Sequence, residues 1–495
     1  MSRDELAQSM PCKEEEDKAR TKDEIQPQKL YKSMKLSTYI LTCAAACALQ
    51  ASAFEYEGLE YEDLGDGTAQ LYSAASATGE VTIPATVYDT DGNAYTVVAL
   101  RKSSFRDAQV SRVNLPETLR SIGSSAFAHS SVKYIKFNEG LETIDRNAFY
   151  NCKNLDNVVL PSTLKELGEM AFIYCESLMK IAIPEGITTL GMATFKECTR
   201  LETVELPSTL TNFEEQAFST CYSLESMVVP EGTTVIPESF CYQCTQLSDL
   251  QLPSTVEEIR NGAFALCYGL EHLNLPNSVT TLLNGAFANC YNLQEVVVPS
   301  SVRTMGSDIF YQNASVKTIT LGENVEVMGY GTLGTWEVLS DNSHQWVLTD
   351  IYSLNPVPPH FEYDGFARPE PDFFSLEEFT EEEKTRFYES VTLHVPDAAL
   401  EAYRTASLWN EFRNIVGDAV GISSPTTMPA KVEAGDGNLH VSGLATGTAA
   451  MVYNTAGCLV ATSTASTSGS VHFDSLPAGI YMVRTAGKSH KVMVR

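Results

Sequence analysis

At 495 residues the chain has room for several domains, and its 63 acidic residues against 34 basic ones leave a net charge of −29. Such an excess repels phosphate backbones and anionic lipid, which argues against a nucleic-acid-binding role and favours a soluble, exposed protein.

Residues 1–33 are charged and almost free of large apolar side chains, and Met34-Lys35 then opens an apolar run from Leu36 to Leu49 that ends at Ala51-Ser52-Ala53. A positive start, a short hydrophobic stretch and an A-x-A site describe a secretory signal peptide, too short for a comfortable membrane span. Residues 1–53 are thus a charged leader plus signal peptide, with the start at Met34 and cleavage after Ala53. Two other readings stay open: a buried helix, or a lipoprotein signal cleaved before Cys43 or Cys47, although neither cysteine follows a good lipobox.

Residues 54–100, with Gly65-Asp-Gly67, Ile83-Pro84 and Asp91-Gly92, read as short strands joined by tight turns. The acidic loop Asp89-Thr-Asp-Gly92 is weak support for calcium. Residues 101–350 repeat. Pro161, Pro184, Pro207, Pro230, Pro253, Pro276 and Pro299 follow one another every 23 residues, and so do Cys152, Cys175, Cys198, Cys221, Cys244, Cys267 and Cys290. A phenylalanine marks each coil at 105, 127, 149, 172, 195, 218, 240, 264, 287 and 310, which implies about ten coils.

In the unit Leu201-Glu-Thr-Val-Glu-Leu-Pro207 polar and apolar residues alternate before proline, as in a half-buried strand. Leu210, Phe213, Ala217, Phe218 and Cys221 then fall mostly three or four apart, so the chain should turn back through loop and short helical pieces. One such unit cannot bury its apolar edge alone, so stability must come from stacking, giving a repeat solenoid whose sheet extends on the order of 50 Å. In Glu238-Ser-Phe-Cys-Tyr-Gln-Cys244 the phenylalanine stands one place early and Cys241 takes its usual position, so a local bulge is expected there.

A ladder of cysteines places a like thiol on both sides of each member rather than one unique partner, and it runs along a line instead of converging on a point. Each cysteine is therefore expected to fill a small turn position and donate a weak S–H bond to backbone. Cys241 and Cys244 form a single C-x-x-C, and Cys241 is the thiol expected to be most reactive.

Residues 351–420 carry Pro356-Val-Pro-Pro359, Leu393-His-Val-Pro396, Tyr403 and Trp409-Asn-Glu-Phe412 and read as a C-terminal cap, with Pro369–Glu383 as a solvated acidic insertion. Open solenoid ends expose apolar surface and unpaired edges, so caps are required. A linker, 421–429, precedes a Ser-, Thr- and Ala-rich module at 430–495 whose expected strands, Leu439–Val441, Ala449–Tyr453, Leu459–Thr462, Ser470–Phe473, Gly479–Arg484 and His490–Val494, suit a small β-sandwich.

The chemistry of catalysis is missing from the pattern. The eight histidines are scattered, neither H-E-x-x-H nor G-x-S-x-G occurs, and Glu214-Glu215 and Glu257-Glu258 fall on exposed repeat positions. A non-enzymatic scaffold without a cofactor is expected. Its candidate ligand face follows from strand alternation: Arg112 and Asn114, Tyr134 and Lys136, Asn157 and Val159, Lys180 and Ala182, Thr203 and Glu205, Ser226 and Val228, Asp249 and Gln251, His272 and Asn274, Glu295 and Val297, Thr318 and Thr320. The row is basic at first and acidic later, and unlike the apolar positions it is not repeated. A second candidate is the tyrosine set Tyr150, Tyr174, Tyr222, Tyr242, Tyr268, Tyr291 and Tyr311, for which packing along the turns is the expected role.

The consensus Leu-x-x-Val-x-Leu-Pro-x-x-Leu-x-x-Ile-x-x-x-Ala-Phe-x-x-Cys, recurring across about residues 97–330, resembles the BspA-like leucine-rich repeats of surface proteins from anaerobic bacteria and some protists. Residues 54–100 and 351–416 are similar to that family's caps. Val452-Tyr-Asn-Thr-Ala-Gly457, Leu476-Pro-Ala-Gly-Ile-Tyr481 and Lys491-Val-Met-Val-Arg495 resemble the C-terminal sorting domains of Bacteroidetes-type secretion, and related β-sandwich tails of unknown role share them. The resemblance implies an extracellular or outer-membrane-associated adhesin that recognises a host matrix protein, another cell or a glycan, and that engages secretion machinery through its signal peptide and tail. A polysaccharide-binding protein and a structural surface component without a specific ligand are the other readings.

Overall fold

The computed structural model describes residues 53–362, 371–377, 379–419 and, from the C-terminal module, 431–434, 439–442, 449–454, 459–464, 470–473, 476, 479–485 and 488–494. The expected signal peptide, the interdomain linker and part of the acidic stretch after residue 362 lie outside the described residues.

Most coils contribute two short strands and a turn wall. The first strands stack in parallel at a one-coil offset, as in Arg112↔Tyr134, Lys180↔Thr203, Ser226↔Asp249 and Glu295↔Thr318. The second strands, two residues each, form another parallel ladder, as in Thr143↔Glu166, Glu258↔Thr281 and Thr304↔Val327. Short helical pieces were expected on the return path. The described coils hold this second ladder and turns instead, and their α-helices are absent until Glu381–Ser390.

The reason lies in the third wall. Two residues per coil, two before and two after the repeated phenylalanine position, adopt left-handed backbone: Ser125 and His129 around Phe127, Met170 and Tyr174 around Phe172, Gly262 and Leu266 around Phe264. An αL residue interrupts a helix, and outside glycine it costs about 1–2 kcal/mol. The geometry lets alternate N–H groups reach the next coil, with Ser125, Phe127 and His129 donating to the carbonyls of Arg146, Ala148 and Tyr150 at 3.0, 2.7 and 2.8 Å.

Inside, the phenylalanines form a column of fully buried rings, with centroids 5.0 Å apart for Phe127 and Phe149 and 5.1 Å for Phe149 and Phe172, these three nearly parallel. The bulge expected at 238–244 does not occur. Ser239 and Gln243, the left-handed pair of that coil, are centred on Cys241, and the strand registers on either side keep the one-coil offset. Backbone spacing is preserved and the side chains change places: Cys241 occupies the phenylalanine slot, and Phe240 occupies the alanine slot with its ring turned edge-on to Phe218 and Phe264.

A second period is superposed on the first. Glu139, Glu185 and Glu231 each accept hydrogen bonds from the backbone N–H and hydroxyl of a serine one coil later, Ser162, Ser208 and Ser254. The adjacent residues repeat the device, since Thr163, Thr209 and Thr255 accept from the N–H of Gly140, Gly186 and Gly232. Coils are thus stapled in pairs along this edge.

Residues Ala53–Leu100 close the N-terminal end. Ala53–Tyr56 and Leu59–Asp63 form an antiparallel hairpin, and Ala94–Leu100 and Thr78–Thr82 start the two parallel ladders. The Asp89 carboxylate accepts from the Asp91 and Asn93 N–H groups, the Asn93 amide and the Tyr95 hydroxyl, so it closes a turn. At the other end Asp350–Ser353, Thr392–His394 and Asn414–Val416 extend the first ladder. Trp336 and Trp409 donate their indole N–H to the carbonyls of Phe374 and Pro359.

The stretch expected to be a solvated insertion belongs to this cap. Phe373, Phe374, Leu376 and Phe379 are buried, and Thr380 and Glu383 form a capping box on the helix Glu381–Ser390. Glu381, Glu382 and Glu383 sit in the helix's first turn, where its N–H groups favour them, and Phe387 is buried.

In the C-terminal module the strands Lys431–Ala434, Leu439–Ser442 and Ser470–Phe473 form one antiparallel sheet. Ala449–Asn454, Leu459–Thr464, Gly479–Thr485 and Lys488–Val494 form another. Leu439, Val441, Val471 and Phe473 from the first share an apolar cluster with Ala450, Val452 and Val483 from the second.

Candidate ligand-binding face

Alternation along the first ladder puts Val113, Ile135, Val158, Ile181, Met227, Leu273, Val296 and Ile319 in the core. Their flanking residues necessarily point the other way. Arg112, Lys136, Asn157, Lys180, Thr203, Glu205, His272, Asn274 and Glu295 are exposed, and Asn114, Tyr134, Asp249 and Gln251 are half-buried. Every residue of the expected row therefore lies on one outward side. His272 and Asn274 belong to a coil whose first segment is not hydrogen-bonded as a strand.

The basic end is ordered by contacts among its own members. The Arg112 guanidinium lies over the Tyr134 ring at 4.8 Å and the Lys133 ammonium at 5.0 Å, and Asn114 donates to Glu80 and Thr82 on the preceding rung at 3.0 Å each. Beside these strands runs a groove of about 380 Å³ lined by Ser111, Ser131, Lys133, Asn154, Asp156, Ser177, Met179 and Arg200. Groove residues stand one or three places before the first residue of a rung, except Ser111, which lies within the strand Gln109–Asn114. Alternation identifies residues that point out of a sheet, but not the flank beside it, so Lys133 and Arg200 escaped the sequence reading.

The face also continues past Thr320. Asp350 and Tyr352 follow in register, then His394, whose Nε2 meets Asp350 at 2.9 Å and Nδ1 meets Asp418 at 2.7 Å while its ring stacks on Tyr352 at 4.3 Å. Burial works against charge on this imidazole, but the two carboxylates hold its pKa above the usual histidine value. These residues lie beyond the regular repeat, so no period announced them.

The tyrosines do pack along the turns. Tyr150 meets His129 and Tyr174 edge-on at 5.0 and 5.7 Å, and Tyr268 stacks on Tyr291 at 5.0 Å. Tyr222 is the most exposed, at 38 %.

The eight described cysteines are buried free thiols. Cys175, Cys198, Cys221 and Cys244 each donate to the carbonyl of the phenylalanine one coil earlier at 3.2–3.3 Å. Asn313 takes the ladder position after Cys290, donating to the Phe287 carbonyl at 3.1 Å and accepting from the Cys290 N–H at 2.7 Å. Burial pushes the Cys152 and Cys290 thiols up to about 12. Cys241 had been expected to be the reactive thiol; it is fully buried and its pKa is raised well above the ordinary value by desolvation, the opposite of what a thiolate nucleophile needs.

Residues 98–225 and 213–334 match the BspA type leucine rich repeat region, in six copies. A search of curated proteins gives no match. Among solved structures, a leucine rich cell surface protein from Faecalibacterium prausnitzii is 24% identical, covering 64% of this chain and 95% of its own, with a TM-score of 0.45. A leucine-rich repeat protein from Bacteroides ovatus is 22% identical over 74% of this chain and 98% of its own, TM-score 0.47. The pneumococcal vaccine antigen PcpA is 19% identical over 75% and 99%, TM-score 0.43. With its parallel ladders and its phenylalanine column, the stretch 98–334 of this chain is a BspA-type leucine-rich repeat region.

Proposed function

We propose that this protein is an exported, non-enzymatic binding scaffold displayed at or beyond the cell surface, and that the outward side of its first ladder holds the ligand, a host matrix protein, another cell's surface or a glycan. The observation that carries this reading is the contrast within single strands. The buried residue of each rung is repeated as Val, Ile, Leu or Met, whereas its outward neighbours change from coil to coil. Packing dictates the first set and leaves the second free to specify a partner. Export is supported by the apolar run Leu36–Leu49 and the Ala51-Ser52-Ala53 site. The C-terminal module, read as a small β-sandwich with a basic, apolar last strand, would serve as a sorting tail.

The test is binding of the full-length protein to arrayed matrix proteins and glycans, beside a folded variant with Arg112, Tyr134, Lys136, Lys180 and His272 changed to Ala. Binding that the variant loses supports the scaffold and its face. Absence of binding by either protein favours a structural role in the cell-surface layer.

A further inference from the structure

We propose that the basic end of the face recognises an acidic polysaccharide, a chain of sugars bearing carboxylate or sulfate groups; this rests on the face being the binding surface and specifies its ligand.

The first argument is charge. In a chain of net charge −29 a surface cation has many carboxylates to pair with, and several on the other walls do so: Arg146 with Glu169 at 3.6 Å, Lys153 with Glu176 at 2.6 Å, Lys165 with Glu142 at 2.7 Å, Arg260 with Glu258 at 2.8 Å. Arg112, Lys133, Lys136, Lys180 and Arg200 have no carboxylate within 4 Å among the described residues, as Lys102, Arg120, Lys196 and Lys317 also have none, but these five stand together. They gather on four neighbouring rungs and the groove beside them. Carboxylates stand here too: Asp156 in the groove, Glu80, which accepts from Asn114, and Glu202 and Glu205 at the rung after Lys180. With rungs about 4.8 Å apart, Arg112, Lys136 and Lys180 stand roughly 5 and 10 Å from one another along the ladder, a row suited to a polyanion lying lengthwise.

The second argument is what the surface lacks. An acidic peptide could add to a free strand edge or anchor side chains in apolar pockets. Little of either is on offer here, because Tyr134–Lys136 lies between partners on both sides and Met179 is the one apolar residue among those lining the groove, beside Ser111, Ser131, Asn154 and Ser177. Hydroxyls and an amide beside cations suit a ligand rich in its own hydroxyls. Val159, 80 % exposed, offers an apolar contact for the C–H face of a sugar.

The full-length protein is titrated with polygalacturonate, chondroitin sulfate, neutral dextran and polyglutamate, in parallel with R112A/K136A/K180A and with R146A/K165A/R260A, which removes as many cations from the other walls, circular dichroism confirming that both variants are folded. Binding to at least one of the two acidic polysaccharides is expected, weakening with added salt, with dextran and polyglutamate binding at least tenfold more weakly. At roughly a fivefold gain per cation against a polyanion, the triple cation variant should bind about 100-fold more weakly. The variant of the other walls should bind as the parent does. Failure to bind either acidic polysaccharide, equal binding of polyglutamate, or full binding by the cation variant overturns the proposal. If the array test nonetheless yields a ligand lost on substitution of the face, the scaffold reading stands and this assignment alone falls. If both tests are empty, both fall.

Discussion

Phe240 meets the ring of Phe218 edge-on, at 88° and 5.5 Å, whereas one coil earlier Phe195 and Phe218 lie parallel at 7° and 5.7 Å. The turn follows from the exchange with Cys241. From the alanine slot the Phe240 side chain enters the column at a different angle, and it also contacts Phe213, at 5.1 Å, in a position where neighbouring coils carry Leu190 and Ile236.

Restoring the consensus tests this account. C241F alone places a second ring beside Phe240 and should cost about 1–3 kcal/mol through overpacking. F240A alone removes a buried ring and should cost about 3–5 kcal/mol. The double variant F240A/C241F should recover much of both losses, so urea denaturation should give a favourable coupling between the two sites. Additive effects would show that the slots are not exchanged.

The thiol ladder should be inert while the chain is folded. Iodoacetamide labelling at pH 8, mapped by mass spectrometry, should leave Cys152, Cys175, Cys198, Cys221, Cys241, Cys244, Cys267 and Cys290 unmodified, because burial denies access and disfavours thiolate. All eight should label in denaturant. Modification of Cys241 in the native protein would contradict the placement of its side chain.

Glu383 links pH to the C-terminal cap. It accepts from the Thr380 N–H, the His344 N–H and the Thr380 hydroxyl, and those bonds lower its pKa from 4.5 to about 2. A carboxylate with a depressed folded-state pKa stabilises the fold above its unfolded pKa and loses that contribution as pH falls through the folded one. E383Q should therefore melt below the parent at pH 7, and the gap in Tm should close between about pH 4.5 and 2. A gap that does not change across this range would remove Glu383 as its source.

His394 predicts the opposite slope. Its folded pKa is raised, so the contribution of the charged ring is complete below the unfolded value of 6.5 and disappears as pH rises through the folded value. H394Q should melt below the parent at pH 5.5, with a smaller difference at pH 9. Equal differences at both would mean that the ring acts by stacking on Tyr352 alone.

Thr220 is a β-branched residue in left-handed backbone, at φ 63°. Glycine fills left-handed positions of this turn wall at Gly262 and Gly285, two places before the phenylalanine, whereas Thr220 stands two places after Phe218. T220G should be neutral or stabilising by up to about 1 kcal/mol, since relief of αL strain exceeds the extra chain entropy glycine brings to the unfolded state. A loss above about 1 kcal/mol in urea denaturation would show that its hydroxyl contact with Ser219 matters more than the strain.

Much of the fold is legible because a period is visible without knowledge of contacts. Prolines, cysteines and phenylalanines recurring with the coil identify a stacked array, and alternation around Val204 or Ile181 tells inward from outward. The swap at 240–241 was misread because a phenylalanine one place early looks the same in sequence whether the backbone gains a residue or two side chains trade slots. The cap at 373–379 was misread because charge density around it outweighed four apolar residues that follow no period.

By itself, then, the sequence determined the stacking unit, the ends that need closing and the side of each strand that faces water, since these depend on apolar spacing within a single coil. Tertiary structure decided the rest: the second ladder, the left-handed turn wall, the Glu–Ser staples and the company kept by Arg112, Tyr134 and Lys133. Each is a relation between residues one or more coils apart or beside the strands, and its outcome depends on which backbone groups the neighbouring coil leaves to be hydrogen-bonded.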